Sequence, residues 1–392
     1  MKPKKVAILY SGHQFDYLYG IITALNSIKD IDFDIIDAKR TEFEIYPYTR
    51  KGVKIHKFIS KATSTKLGLI GSAFAYYFKL FWYILFSDVD LYHIEWLNYK
   101  TARFEELFLP LLIKLRRKPL IYKVHDISTD TLLSKAGANF KIDLPLTKKF
   151  FFSKVNAFLV HNEFTKHILI EYGIDKKKIT VIKHGINNSV SISDKTRQEC
   201  RDILGLDMDK KVMLFFGNIA PYKNLESILE ILKKLEDDIG SLRLVIAGKY
   251  RSGQQEYAQN INDLIRRNRN LVLPKIEFIE NSEIEIYFKA SDVLLLPYRF
   301  IFQSGVTFLA MRFKLPVIAK NTGGLAEDII DGKTGLLYTN DHELYSTIKK
   351  FFKSELFLKQ GYIKNQFNVL EQHYDWSKIG KNMKDQYNRM LN

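Results

Sequence analysis

The sequence predicts an α/β fold built from two doubly wound domains, and three observations carry that reading. Short apolar strands alternate with longer amphipathic stretches along all 392 residues. The strands are runs of β-branched and aromatic residues without strict alternation. That is the pattern of strands buried on both faces, hence of parallel sheets covered by helices. The array then runs twice, and a 46% hydrophobic content is enough to give each of two ordinary domains its own core.

Taken in order, the first array places strands at 5–10, 33–37, 91–94, 120–124, 157–160 and 180–182. The second places them at 212–216, 242–247, 276–279, 293–296, 316–319 and 335–338. The clearest helix follows Lys223. Leu225, Ile228, Leu229, Leu232 and Leu235 recur at helical spacing, and Glu226, Glu230, Lys233 and Lys234 take the opposite face. The polar stretch 187–198 (NNSVSISDKTRQ) reads as the linker between the arrays.

The segment 67–86 (LGLIGSAFAYYFKLFWYILF) is as long as a membrane-spanning helix, but it lies between two strands of the first array. Spanning a membrane there would break the domain. A buried helix and a helix lying partly in a membrane interface both stay open, the latter on Tyr76, Tyr77, Trp82 and Tyr83. The opening MKPKKVAILY carries too short an apolar run for a signal-peptide core and reads as the first strand.

Net charge is +16 and uneven: residues 1–190 hold 30 Lys and Arg against 18 Asp and Glu. The first half is therefore expected to face something anionic. Nucleic acid is the least suitable partner, because no recognition helix, zinc pattern or stacking platform accompanies the charge. The single cysteine, Cys200, forms no internal disulfide, which fits a reducing, cytoplasmic compartment.

The strongest chemical signal is Phe216-Gly217-Asn218-Ile219-Ala220-Pro221-Tyr222-Lys223. A strand ends, a short loop follows, and a lysine is expected at the mouth of the next helix, where backbone N–H groups already favour an anion. An ammonium there stabilises a departing diphosphate more than the bound substrate. Farther on, Gln303-Ser304-Gly305-Val306-Thr307 opens an apolar helix, with Ser304 as expected N-cap and Gly305 allowing close approach of a phosphate. Thr322-Gly323-Gly324-Leu325-Ala326-Glu327 forms a second glycine loop after the next strand. Together they read as a phosphate cradle.

These residues carry a resemblance. GNIAPYKN, SDVLLLPY and QSGVTFLAM followed by PVIAKNTGGLAEDIIDGKTGLL resemble the donor domain of GT-B glycosyltransferases, especially family 4 and related exopolysaccharide enzymes. Val181-Ile182-Lys183-His184-Gly185 resembles the segment entering the interdomain hinge, Lys123-Val124-His125-Asp126 a strand end of the first domain, and Tyr374-Asp375-Trp376-Ser377-Lys378 the terminal helix that returns to it. The resemblance implies two Rossmann-like domains facing a central cleft. Residues 1–190 would form an acceptor-binding domain on which a helix at about 374–392 packs, and 191–373 a domain binding a UDP- or GDP-linked sugar. It implies a hexosyltransferase of polysaccharide or glycoconjugate synthesis, with a saccharide or lipid-linked acceptor. It would need no cofactor. Independently of the resemblance, the basic first half, the aromatic segment 76–83 and the basic run 114–118 lead us to expect a cytoplasmic protein peripheral on the inner face of the cell membrane, against an anionic surface.

Two departures bear on the site. Family 4 enzymes usually carry arginine at the position of Asn218, and two glutamates where this chain has Ile301 and Leu309. The second glutamate commonly holds the donor ribose, so ribose recognition is expected from other residues. The stereochemical course stays open. In the first domain, His125 and Asp126 are the catalytic candidates, as groups for the transferred sugar or the acceptor proton. Gly12 is a diphosphate contact, His13 a weaker candidate and Asp16 a possible base; His93 and Glu95 read as structural. The D-x-D pairs Asp32/Asp34, Asp88/Asp90 and Asp207/Asp209 lie within a strand or in turns before strands, so no metal is expected, and lysine with backbone amides would replace its charge. The remaining alternative class is a GT-B enzyme of another reaction type, such as a nucleotide-sugar epimerase.

Overall fold

The predicted alternation folds into two wholly parallel sheets. The computed structural model describes residues 3–11, 15–37, 49–58, 66–97, 102–127, 144–358 and 360–392. The chain divides into two units, one of Met1–Ile127, Lys141–Gly185 and Tyr374–Asn392, the other of Ser128–Phe140 and Ile186–His373. The expected sites Gly12 and His13 lie outside the described residues.

In the first unit the chain runs β1 (Lys4–Tyr10), α1 (Phe15–Ser27), β2 (Ile31–Asp37), β3 (Val53–Lys57), α2 (Lys66–Phe86), β4 (Leu91–Trp96), α3 (Ala102–Leu115) and β5 (Leu120–Val124). It continues through α4 (Leu146–Lys154), β6 (Ala157–Val160), α5 (Glu163–Glu171) and β7 (Ile179–Val181). The strands pair in parallel in the order β3-β2-β1-β4-β5-β6-β7. The C-terminal helix Trp376–Leu391 packs against α1, and its Trp376, Ile379, Met383 and Tyr387 join the core of β1 and β2. Gly20 on α1 and Gly185 both lie against the Trp376 indole, and a methyl group at either would overlap the ring.

The N-terminus of α5 shows how local chemistry fixes an element. Asn162 is buried, and its Oδ1 accepts from the Thr165 backbone N–H at 2.8 Å and from the Thr165 hydroxyl at 2.7 Å. Replacing Asn162 by alanine is expected to cost about 1–2 kcal/mol of stability, read as a lower denaturant midpoint.

Helix α2 has two faces. Tyr76, Leu80 and Ile84 point inward, whereas Ile70, Phe74, Phe78, Trp82 and Phe86 are 43–72% exposed, spaced four residues apart. On neighbouring α3, Leu109 and Ile113 are buried, and Phe104, Leu107, Leu111 and Leu115 are exposed. The aromatic residues that support the interfacial alternative for α2 therefore divide. Trp82 faces solvent, but Tyr76 is buried and Tyr83 turns to donate to Asp34 Oδ2 at 2.7 Å. No described helix is long and apolar enough to cross a membrane.

The second unit runs α6 (Arg197–Leu204), β8 (Lys211–Phe216), α7 (Glu226–Ile239), β9 (Leu242–Ala247), α8 (Gln255–Arg267), β10 (Val272–Lys275), α9 (Ile284–Ala290) and β11 (Val293–Leu296). It then passes through α10 (Gly305–Phe313), β12 (Val317–Lys320), β13 (Gly335–Tyr338), α11 (Asp341–Lys353), α12 (Glu355–Leu358) and α13 (Gln360–Glu371). Its sheet is parallel in the order β10-β9-β8-β11-β12-β13.

Two expectations need correction. Residues 276–279 are not a strand. The pairing run precedes them at β10, which contains Pro274 and borders the sheet, where a missing N–H is tolerated. β3 was not expected because it too is an edge strand, with lysines and a histidine between its apolar residues.

Candidate active site

In the second unit, consecutive strands lie on opposite sides of β8, so the chain reverses its winding between β8 and β11. The loops beyond the carboxyl ends of such a pair form a ready-made ligand crevice. Gly217 follows β8 with φ of +95°, a conformation suited to glycine. A Cβ there would stand 3.0 Å from Lys223 Nζ and 3.6 Å from Val306 Cγ2, so these three expected residues are neighbours.

Lys223 departs in detail from the expected placement. It closes a one-turn 3-10 helix at Pro221–Lys223, and α7 begins only at Glu226. Instead of standing over that helix, the side chain folds back beneath the loop. It is 5% exposed, with Nζ 3.3 Å from the Phe216 carbonyl and 5.1 Å from the centre of the Tyr298 ring. No carboxylate among the described residues pairs with it. Burial alone pushes its pKa down to about 7.

Ser304 occupies the N-cap position of α10 but makes no capping hydrogen bond, which corrects the expectation that its hydroxyl caps the helix. The first N–H groups of a helix have no partner within it and offer themselves to an anion. Gly305 and Val306 supply that turn, and Gly305 is exposed. Around it stand buried polar atoms without a hydrogen-bond partner: the Tyr298 hydroxyl, Thr307 Oγ1 and Asn224 Nδ2. Unsatisfied buried groups are costly, and such a set beside a buried ammonium is what a polar ligand would satisfy. Tyr298 and Asn224 were not singled out from the sequence, since an aromatic residue after a strand and an asparagine in a turn are common structural choices.

Three loops are tied together here. The Arg299 N–H donates to the Tyr222 carbonyl at 2.8 Å, and the Gly324 N–H donates to the Ile301 carbonyl at 3.1 Å. The Thr322 hydroxyl donates to the Arg299 carbonyl at 3.2 Å. Asn218 is exposed on the first loop. Glu327 is exposed on the one-turn helix Leu325–Asp328; the buried carboxylate there is its neighbour Asp328, which accepts from Gln303 Nε2 at 2.6 Å. Leu309, at the family's ribose-glutamate position, is buried in the core.

In the first unit, histidines gather at the carboxyl edge of the sheet. His125 follows β5, His161 follows β6, and His184 lies three residues beyond β7. His125 Nδ1 is 3.1 Å from His161 Nε2, and the His125 ring stacks on Trp96 with centroids 3.9 Å apart. Glu95, at the end of β4, stands behind it, with Oε1 3.6 Å from His125 Nε2 and Oε2 3.0 Å from His93 Nε2. Tyr17 donates its hydroxyl to Glu95 Oε1. Burial opposes charge on Glu95, but His93 and His125 outweigh it and hold the carboxyl well below its usual range. Burial pushes His125 and His161 down, and His184 to about 3. Lys123 is also buried, donates to the Ile182 carbonyl at 2.8 Å, and is pushed down by burial to about 8.

Asp126, next to this cluster, is exposed. His93 and Glu95, which read as structural in sequence, are thus drawn to His125. Only the β-sheet order reveals this, because β4 and β5 are neighbours.

Of the D-x-D pairs, Asp34 faces His56 Nε2 at 3.2 Å, Asp88 pairs with Lys5 at 2.7 Å, and Asp90 with Lys118 at 3.4 Å. No group of three or more His, Cys, Asp or Glu among the described residues is arranged to hold a metal.

Comparison with known proteins agrees with this architecture. Residues 70–190 match the family described as Glycosyltransferase Family 4, and residues 196–368 the family described as Glycosyl transferases group 1. An uncharacterized 41.2 kDa protein in the cps region of Klebsiella pneumoniae is 24% identical over 81% of this chain and 82% of its own. The D-inositol 3-phosphate glycosyltransferase of Paenarthrobacter aurescens is 28% identical over 45% of this chain, a match spanning 43% of that enzyme's length. Among solved structures, HepE from Anabaena in complex with UDP-glucose superposes with a TM-score of 0.73 at 18% identity, over 98% of this chain and 99% of that one. Sucrose-phosphate synthase from Thermosynechococcus elongatus does so with a TM-score of 0.70 at 16% identity, over 99% of each. With a Glycosyltransferase Family 4 segment followed by a Glycosyl transferases group 1 segment, on two parallel sheets of this wiring, the chain is a glycosyltransferase of the GT-B fold.

Proposed function

We propose that this glycosyltransferase moves a hexose-type sugar from a UDP- or GDP-linked donor to a saccharide or lipid-linked acceptor in polysaccharide or glycoconjugate synthesis, without a metal. The observation that carries this reading is the buried, carboxylate-free Lys223 beside the open first turn of α10. A lone ammonium and free N–H groups make a cradle for a diphosphate, and their charge is worth most as the leaving group departs. Gly217, Ser304, Gly305, Val306 and Thr307 would contact the phosphates, with Asn218 and Glu327 at the exposed margins. Gly12, which lies outside the described residues, stays a proposed diphosphate contact. The unpartnered Tyr298 and Thr307 hydroxyls are suited to donor oxygens in place of the missing glutamate. HepE, solved with UDP and with UDP-glucose, supports a uridine nucleotide as the first donor to test.

On the acceptor side the reading assigns Asp126, an exposed carboxylate, to the acceptor proton and the half-buried His125 ring to the wall of the site. A thermal-shift panel of UDP-, GDP- and ADP-sugars tests the donor, since a ligand that binds only the folded state raises the melting temperature by mass action. Stabilisation by none of them removes the nucleotide-sugar reading.

Turnover is expected to survive exhaustive EDTA treatment, with the lysine and amide dipoles supplying the charge that a metal gives other enzymes. Activity that vanishes and returns with manganese or magnesium overturns this expectation. No further cofactor enters the reading. The exposed apolar faces of α2 and α3, beside Lys114 and Arg117, support peripheral attachment to an anionic membrane. That attachment would be at the inner face of the cell membrane, from the cytoplasm.

A further inference from the structure

Glu95 is a carboxylate only 1% exposed, inside a group of aromatic and imidazole rings. A buried charge persists only where surrounding groups donate to it. An ionised carboxylate accepts and never donates, while each neutral imidazole donates from one nitrogen and accepts at the other. With neutral rings, those rules give one placement of the protons around Glu95. His93 carries its proton on Nε2, toward Glu95, and its Nδ1 accepts from the Tyr387 hydroxyl at 2.8 Å. His125 likewise carries its proton on Nε2, toward Glu95, and its Nδ1 accepts from His161 Nε2 at 3.1 Å. The Tyr17 hydroxyl completes the set on Oε1. That placement needs one anion and no second charge, while His93 Nε2, His125 Nε2, Glu95 Oε2 and His161 Nδ1 make no formed hydrogen bond. The 3.6 Å between His125 and Glu95 is longer than a formed hydrogen bond, so Glu95 acts on the ring through the attraction of its charge for the N–H.

We propose that Glu95 is the positioning residue of the acceptor-side site. Its carboxylate selects the Nε2–H tautomer of His125 and holds the ring flat on Trp96, turning both ring nitrogens toward the protein. His125 then shapes the site as a fixed neutral ring, and the proton of the acceptor hydroxyl is left to Asp126. The inference rests on the reading of His125 and Asp126 as site residues, but its structural half stands apart from turnover. Glu95 acts from two strands, because β4 delivers the carboxylate and the adjacent β5 the imidazole.

The test is Glu95→Gln, which keeps the shape and removes the charge. Imidazole nitrogen shifts of 15N-histidine-labelled protein are expected to show His125 as Nε2–H in the parent, and to show a mixture of tautomers in E95Q. kcat is expected to fall about tenfold or more with donor KM changed by less than about twofold, and Glu95→Asp to restore part of it. An unchanged His125 tautomer together with unchanged kcat overturns the proposal. If E95Q does not fold, Tyr17→Phe takes its place. It removes a competing donor from the same oxygen and leaves the charge, so the Nε2–H tautomer should persist; its loss counts against the proposal. His125→Gln separates the two readings. If it leaves turnover unchanged while E95Q still shifts the tautomer, the site reading fails and the positioning contact stands.

Discussion

Lys223→Ala is expected to lower turnover by about two to three orders of magnitude, the loss typical of removing one group that stabilises developing negative charge. The side chain is buried, contacts one carbonyl and two aromatic rings, and has no counter-ion among the described residues. Its desolvation is therefore uncompensated until an anion arrives. Burial holds its pKa to about 7, and a bound diphosphate would raise it. The sign follows. Below about pH 7 the free site is already charged and binds nucleotide best, whereas above that pH binding must take up a proton. Nucleotide affinity should then fall by up to about tenfold per pH unit until the bound-state pKa is reached. Calorimetry in buffers of different ionisation enthalpy reads the proton uptake directly. Activity of the alanine variant within about threefold of the parent, with donor affinity also unchanged, would remove Lys223 from the site.

The fold was legible because doubly wound domains write themselves locally: buried parallel strands are apolar runs, and the helix after Lys223 repeats at 3.6 residues. β3 and β10 were less legible because edge strands carry lysine, histidine and proline that a central strand excludes. At the candidate site, the loops around Gly217 and Ser304 stood out because glycine and a capping-type residue after a strand have a local meaning. Their partners did not. Tyr298, Glu95, His93 and His161 look like ordinary core or strand-end residues in sequence, and only the order of strands shows which of them meet. Ser304 illustrates the limit from the other side. The residue type and position suit a cap, yet its hydroxyl makes no capping bond.

The second large effect is expected at a surface. The exposed rings on α2 form a continuous ladder: Phe74 to Phe78 at 6.2 Å, Phe78 to Trp82 at 5.9 Å and Trp82 to Phe86 at 5.1 Å. Tyr77 bridges to Phe104 of α3 at 5.0 Å, which joins the two helix faces. So much exposed aromatic surface is unusual on a soluble face. With Lys79, Arg103, Lys114 and Arg117 exposed around it, it suits a helix pair lying in the interface of an anionic bilayer. Each basic residue near such a surface contributes on the order of 1 kcal/mol, and each large apolar side chain that leaves water about 1.5–3 kcal/mol. Phe74→Asp with Phe78→Asp should therefore weaken binding to anionic vesicles by more than about a hundredfold. Turnover on a soluble acceptor should persist, because neither residue belongs to the candidate site. Raising salt should weaken the parent's attachment through screening of the basic residues but leave the apolar part in place. Vesicle sedimentation decides it. If the parent pellets equally with neutral and anionic vesicles, the basic residues have another purpose; if it pellets with neither at low salt, the apolar faces of α2 and α3 serve another partner.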